Sequence, residues 1–235
     1  MGALHAAQAI AVLMLANDFS LPVTATFLTD APGAAAPELT TLFEVRIAWG
    51  VAAFLALSAM AHWAIASPGV EAWYRRNLLR DRNYARWIEY SLSSSLMVVL
   101  IAMLPGISDI AALLAIFAVN AAMILFGLLF EHYEAPGEAN LMSYWFGVLV
   151  GAVPWIVIGI YLWAPGSDAS PPTFVYAIFF SLFVFFNSFA INMVLQYRRV
   201  GRWHDYLFGE KVYILLSLTA KSALAWQVFA GTLAG

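Results

Sequence analysis

The sequence predicts an all-α membrane protein: a single domain over residues 1–235, built as a seven-helix transmembrane bundle with a cytoplasmic N-terminus and an extracellular C-terminus. Three observations predict it. First, 63% of the side chains are apolar and 11% charged, whereas a water-soluble domain carries roughly 45–50% and about 25%. That apolar surplus exceeds what a soluble chain of this size can hide, so the surrounding solvent must be lipid. Second, the chain contains seven long apolar runs, most of them near the ~20 residues that cross a bilayer as a helix. Third, the few basic residues crowd onto one side of those runs.

The first run, Ala3–Ala16, is too short to span alone. Either Leu21–Leu28 continues it or residues that precede Met1 are absent. The 17–42 connection is long for a loop between helices. Its Leu21-Pro-Val-Thr-Ala-Thr-Phe stretch has the β-branched and aromatic character of a strand, which suits a small extracellular hairpin on the membrane surface. The remaining runs are Phe43–Ala66, Trp87–Leu104, Ile110–Phe130, Leu141–Trp163, Thr173–Leu195 and Val212–Leu233. In hydrocarbon each must be a helix, because a lone strand leaves its backbone polar groups unsatisfied. Pro32-Gly33, Pro68-Gly69, Pro105-Gly106, Pro136-Gly137 and Pro165-Gly166 punctuate the first five connections. Gly201 and Gly209 mark the sixth. Gly147-Val-Leu-Val-Gly151 is a GxxxG pattern that admits a neighbouring helix, within one chain or between two. With no cysteine, the chain has no disulfide, thiolate chemistry or cysteine metal site.

Orientation follows from the cations. The connection between the second and third runs holds Arg75, Arg76, Arg80, Arg82 and Arg86, and that between the sixth and seventh holds Arg198, Arg199, Arg202 and Lys211. These nine of the eleven lysines and arginines share the face of the N-terminus; the opposite face has only Arg46. The positive-inside rule places the rich face in the cytoplasm, and a plasma membrane is the expected location. The acidic residues Glu131, Glu134 and Glu138 fall in a loop on the same side.

Ionisable residues inside the runs carry the chemistry, since each costs ~2.5–3.5 kcal/mol or more at mid-membrane unless paired or used. Lys221 lies deep in the seventh run, Glu89 just inside the third, His5 at the start of the first and His62 near the end of the second. Each has a polar neighbour one helical turn or so away: Gln8 for His5, Ser58 for His62, Ser93 for Glu89 and Ser217 for Lys221. If the helices close into a ring, the seventh, first, second and third are neighbours, and these pairs face one pocket on the cytoplasmic side of Lys221. A lysine amine shielded from water is a nucleophile whose standard use is a Schiff base with a carbonyl compound. The resulting cation needs a carboxylate partner, and Glu89 is the only acidic residue within an apolar run at its cytoplasmic end; Glu44 stands at the extracellular end of the second run.

These residues lie in stretches that resemble the heliorhodopsin family. Ser217-Leu-Thr-Ala-Lys-Ser-Ala-Leu-Ala-Trp-Gln-Val-Phe-Ala-Gly resembles its seventh helix, and Arg86-Trp-Ile-Glu-Tyr-Ser-Leu-Ser-Ser-Ser-Leu-Met its third. Asn17-Asp-Phe-Ser-Leu-Pro-Val-Thr resembles its first extracellular segment, and Tyr197-Arg-Arg-Val-Gly-Arg-Trp-His-Asp-Tyr-Leu-Phe-Gly-Glu its last cytoplasmic loop. The family shares the inverted, N-terminus-inside topology that the arginines predict. The resemblance implies a rhodopsin-like fold with all-trans retinal on Lys221 and Glu89 as counterion. It further implies that His5, His62, Gln8, Ser58, Ser93, Ser217, Tyr90 and Trp226 line the Schiff-base region and its cavity, with Tyr74, Asn83 and Asn120 close by. Trp145 matches a residue at the chromophore ring, and Phe179–Phe189 is expected to flank the polyene.

The function expected from this is light sensing, with no ion pumping and no enzyme activity. Membrane lipid is the surrounding partner, the family suggests a homodimer, an unknown cytoplasmic protein would receive the signal, and no nucleic acid is involved. A light-driven or light-gated proton transporter is the competing expectation. Against it, Leu100 stands three turns beyond Glu89, and Ser217, not an aspartate, precedes Lys221. An intramembrane metallohydrolase using His5, His62 and Glu89 is a third reading, but it lacks HExxH spacing and leaves Lys221 without a role.

Overall fold

Lipid leaves an apolar run one way to satisfy its own backbone, and the computed structural model follows it, describing every residue except Ala35, Pro165, Ala169 and Gly235. The elements in chain order are α1 (Gly2–Leu15), β1 (Ser20–Phe27), β2 (Glu38–Arg46), α2 (Ile47–Ile65), α3 (Pro68–Leu78), α4 (Tyr84–Met103), α5 (Ile110–Tyr133), α6 (Met142–Trp163), α7 (Thr173–Tyr197) and α8 (Tyr206–Val228). A 3₁₀ turn, Gly201–His204, precedes α8, and a π-helical turn, Phe229–Leu233, extends it. Among the described residues, five helices are long and apolar enough to cross a membrane: α2, α5, α6, α7 and the α8 segment. α1 is apolar but shorter. Helices that follow one another along the chain pack together, α1 on α2, α2 on α4, α4 on α5 and α5 on α6, while α8 touches α7, α1 and α2 and so closes a ring.

The hairpin is where the boundaries depart from the hydropathy reading. Leu21–Leu28 does not prolong the first helix. The chain turns extended at Ala16, and β1 pairs antiparallel with β2, Val23 opposite Phe43 and Ser20 opposite Arg46. Phe43–Arg46, expected in the second helix, therefore belongs to the strand, because β1 offers those backbone groups ladder partners that a helix end lacks. Thr24 anchors the hairpin to the turn between α4 and α5: its N–H donates to the Ser108 carbonyl at 2.8 Å and its hydroxyl meets Ser108 Oγ at 2.9 Å. In the same turn Asp109 Oδ1 accepts from the N–H groups of Ala111 and Ala112, capping α5.

Two further corrections concern helix starts. Pro68-Gly69 does not make a turn; Pro68 occupies the first turn of α3, where its missing N–H costs nothing, and the connection expected as a loop holds an eleven-residue helix. α8 begins at Tyr206 instead of Val212, because Asp205 caps it by accepting from Leu207 N–H at 3.0 Å. Gly33, Gly106, Gly137 and Gly166 do adopt the positive φ that their turns require; Pro165, the partner expected before Gly166, lies outside the described residues.

The GxxxG glycines of α6 face α5 of the same chain. A Cβ on Gly147 would stand 3.3 Å from Phe126 Cβ, and one on Gly151 would run into the Met123 side chain. Gly127 plays the same part between α5 and α4, where a Cβ would run into the Trp87 ring. Gly127→Val is therefore expected to overpack this contact and cost about 1–3 kcal/mol. Thermal unfolding in detergent would show a lowered midpoint, and an unchanged midpoint would mean that the helices do not approach this closely.

Candidate functional site

Lys221 is buried on α8, and its amine finds partners on two other helices. Nζ donates to Glu89 Oε1 of α4 at 2.6 Å and to Ser58 Oγ of α2 at 2.5 Å. The Ser58 hydroxyl donates in turn to the same Glu89 oxygen at 2.5 Å. Three helices thus meet through one charged, hydrogen-bonded triangle. Charge-assisted bonds of this kind are about twice as strong as neutral ones and offset part of the cost of removing both ions from water. The Tyr90 ring lies 5.2 Å from Nζ, and its hydroxyl donates to the Tyr213 carbonyl at 3.1 Å.

The two histidines of the sequence reading lie together. The His5 and His62 rings stack with centroids 5.9 Å apart and planes 12° from parallel. His62 follows Ser58 by one turn of α2, which puts the pair beside the Lys221–Glu89 triangle. His5 is buried, and its Nδ1 has no hydrogen-bond partner among the described residues. Gln8 Oε1 accepts from Trp226 Nε1 at 3.1 Å. Among the described residues no group of three or more His, Asp or Glu side chains is arranged to hold a metal ion.

On the other side of Lys221 opens a cavity of about 270 Å³ between α4, α5, α6, α7 and α8. Its wall near the amine is polar, with Ser93, Ser217 and Tyr90; further out it is aromatic, with Trp155, Phe183 and Phe186. Trp155 meets the rings of Phe179, Phe183 and Phe186 edge-on at 5.4–5.5 Å. Part of the expected Phe179–Phe189 run therefore does line the space.

Several expected residues stand elsewhere. Trp145 is 61% exposed on the outer surface and does not line the cavity; Trp155 supplies the indole there. The two differ by ten residues, nearly three turns, so the tertiary position of α6 decides between them. Trp226 is 39% exposed and donates to Gln8 of α1, the same helix as His5. Asn120 is buried behind the wall, donating to Ser94 Oγ at 2.9 Å and Ser95 Oγ at 3.0 Å, and so ties α5 to α4.

Asn83 and Tyr74 belong to a second charged centre that the sequence reading missed. Arg86, expected as a loop cation, is buried, and its Nη2 reaches Glu131 Oε2 at 2.6 Å and Glu210 Oε1 at 3.2 Å. Glu131, expected in an acidic loop, lies in α5 with its side chain 0% exposed, so Glu89 is not the only carboxylate in an apolar helix. Asn83 bridges the two acids: its N–H donates to Glu131 at 2.5 Å and its amide to Glu210 at 2.6 Å. Tyr206 adds a bond to Glu131 at 3.2 Å. Tyr74 lies 3.4 Å from the Asn83 amide; burial, with the Glu210 carboxylate adding to it, pushes its phenol up, so it stays neutral. The guanidinium lies against the rings of Trp87 and Tyr213, 4.2 and 3.8 Å from their centroids. Both rings also line the cavity, so they stand between it and the Arg86 guanidinium. One signal for this was present in the sequence: no helix breaker separates Phe130 from Glu131 before Pro136.

The heliorhodopsin family model matches residues 1–233 of the 235. No curated protein matches the chain.

Removing Arg86 alone would leave Glu131 and Glu210 buried without their cation. Arg86→Gln is expected to cost about 3–5 kcal/mol, as for other broken buried pairs. Combining Arg86→Met with Glu131→Gln and Glu210→Gln should recover most of that loss in denaturant unfolding. A triple variant as unstable as Arg86→Gln would show that the charges are not what couples these helices.

Proposed function

The chain belongs to the heliorhodopsin family, a family of retinal-binding, light-sensing membrane proteins and not a known enzyme family, and from that premise we propose that it senses light through all-trans retinal held on Lys221, with Glu89 as the counterion. The observation that carries this reading is the 2.6 Å contact between Lys221 Nζ and Glu89 Oε1 beside an aromatic-walled cavity.

The residues present fit such a group. Retinal is an elongated apolar aldehyde, and the cavity volume of about 270 Å³ lies just below the roughly 300–1,000 Å³ usual for small-molecule pockets. Its aromatic wall suits a polyene and ring, and the amine at its polar end suits the Schiff-base linkage. When bound, retinal supplies visible-light absorption and a light-driven double-bond isomerisation.

The chain's own residues then divide the work. Glu89 holds a negative charge against the cation at Nζ, and Ser58 keeps that carboxylate in place by donating to the same oxygen. Ser93, Ser217 and Tyr90 line the polar end of the cavity. The stacked His5 and His62 stand beside Nζ as the acceptor for the proton that leaves it, because the buried His5 Nδ1 has no other hydrogen-bond partner among the described residues. Gln8 and Trp226 hold the outer side of α1 against α8. Asn120 acts behind the cavity wall, tying α5 to α4, and Trp145 stands on the outer surface of α6.

A sensor accounts better than a pump for the remaining carboxylates. Glu131 and Glu210 are buried, but each already accepts bonds from Arg86 and Asn83. A carboxylate tied to a guanidinium and to amides is a poor carrier of protons across a membrane. In the same reading α1 and α4 join the five long helices as spans, which makes seven. The arginine-rich end and the N-terminus face the cytoplasm of a plasma membrane, two copies associate, and a cytoplasmic protein receives the signal.

Addition of all-trans retinal should give a visible absorption band with the wild type and none with Lys221→Ala. A band in both, or in neither, would remove the assignment. Glu89→Gln should shift the band to the red, because losing the negative charge narrows the excitation gap. Illuminated vesicles should show no pH change sensitive to a protonophore; such a change would establish transport instead.

A further inference from the structure

α3 is used by none of the chemistry above, yet its place and surface are specific. α2 and α4 pack against each other, so the segment joining them stays at one end of the bundle. It is pinned there by Tyr74 against Asn83, the cap of α4, and by Arg82, whose Nη2 donates to the His132 carbonyl at 3.0 Å. α3 starts at Pro68, just after the membrane-crossing helix ends at Ile65. With α2 read as a span, the eleven residues of α3, about 16 Å of helix, lie at the depth of the lipid headgroups.

Its faces are unlike. Val70, Tyr74, Asn77 and Leu78 are partly buried toward the bundle. On one outer flank Glu71 and Arg75 close an ion pair at 3.6 Å. On the other, Trp73 and Arg76 follow at i and i+3, and Arg80 stands in the turn just after the helix, all three exposed, with Leu79 beside them at 85% exposure. Among the described residues neither Arg76 nor Arg80 has an acidic partner.

We infer that these residues bind the headgroup of an anionic phospholipid from the surrounding leaflet. A guanidinium pairs with phosphate through two parallel N–H bonds, and the second arginine, just past the end of the helix, adds a further positive charge for the headgroup. Tryptophan is enriched at headgroup depth, and the leucine side chain beside it enters the acyl boundary. A lipid covers the apolar and the cationic groups at once, whereas solvent or an acidic soluble protein would leave Leu79 and the Trp73 ring poorly covered. The assignment is independent of the chromophore.

The test uses the full chain in nanodiscs of phosphatidylcholine doped with phosphatidylglycerol at low salt, with brominated forms of either lipid quenching tryptophan fluorescence. Brominated phosphatidylglycerol should quench the wild type more than brominated phosphatidylcholine, and Trp73→Phe should remove that excess. Arg76→Gln and Arg80→Gln should each weaken the phosphatidylglycerol association about fivefold, the effect of one arginine at an anionic surface. Arg202→Gln and Lys211→Gln, at the same end of the bundle but off α3, should leave it unchanged. Equal quenching by both lipids, an equal loss in the control variants, or binding of polyglutamate in place of phosphatidylglycerol would each overturn the assignment. Circular dichroism confirms that each variant is folded.

Discussion

A charge inside an apolar bundle has no water to turn to, and every buried ion here has found its partner on another helix. Lys221 of α8 reaches Glu89 of α4 and Ser58 of α2. Arg86 of α4 reaches Glu131 of α5 and Glu210 of α8. Because an unpaired ion costs several kcal/mol in such a medium, these contacts permit few alternative arrangements of the helices that carry them. Apolar packing alone is less selective, since side chains exchange lipid contacts for similar contacts with each other. The ion pairs set which helices are neighbours, and close approaches such as Gly127 on Trp87 and Gly151 on Met123 set how tightly they fit.

The two charged centres share α4 and α8, and the Trp87 and Tyr213 rings lie between Arg86 and the cavity that Lys221 lines. Those rings face the cavity on one side and the Arg86 guanidinium on the other. The cation behind those rings has its two carboxylates on different helices, so packed and paired groups, and not a mobile loop, connect the cavity wall to the arginine-rich end of the bundle. The polar wall of the cavity, Ser93, Ser217 and Tyr90, lies on those same two helices.

Much of this was legible from residues alone. Lys221, Glu89, Ser58 and the two histidines stood out because polar groups are expensive in apolar runs, and the structure brings them together. The Arg86 centre did not stand out, since Arg86, Glu131 and Glu210 all lie near the ends of apolar runs, where a charge is ordinarily solvated. Their burial depends on Asn83, Tyr206 and the aromatic rings arriving from elsewhere in the chain. Trp145 and Trp155 show the same limit: both are tryptophans in one apolar helix, and only the rotation and depth of α6 against α7 place Trp155 in the wall.

By itself the sequence determined the solvent, the apolar runs and the main ionisable pair, because hydrophobicity and the cost of a buried charge are properties of single residues and short spacings. The tertiary structure decided what depends on distant partners. It turned Phe43–Arg46 into a strand by supplying β1, opened α8 at Tyr206 and buried Arg86 between two carboxylates. It also laid α3 along the rim of the bundle. The physical reason is the same in each case: a backbone group or a charge at the end of an apolar run has a choice between water and protein, and only the neighbours brought by folding settle that choice.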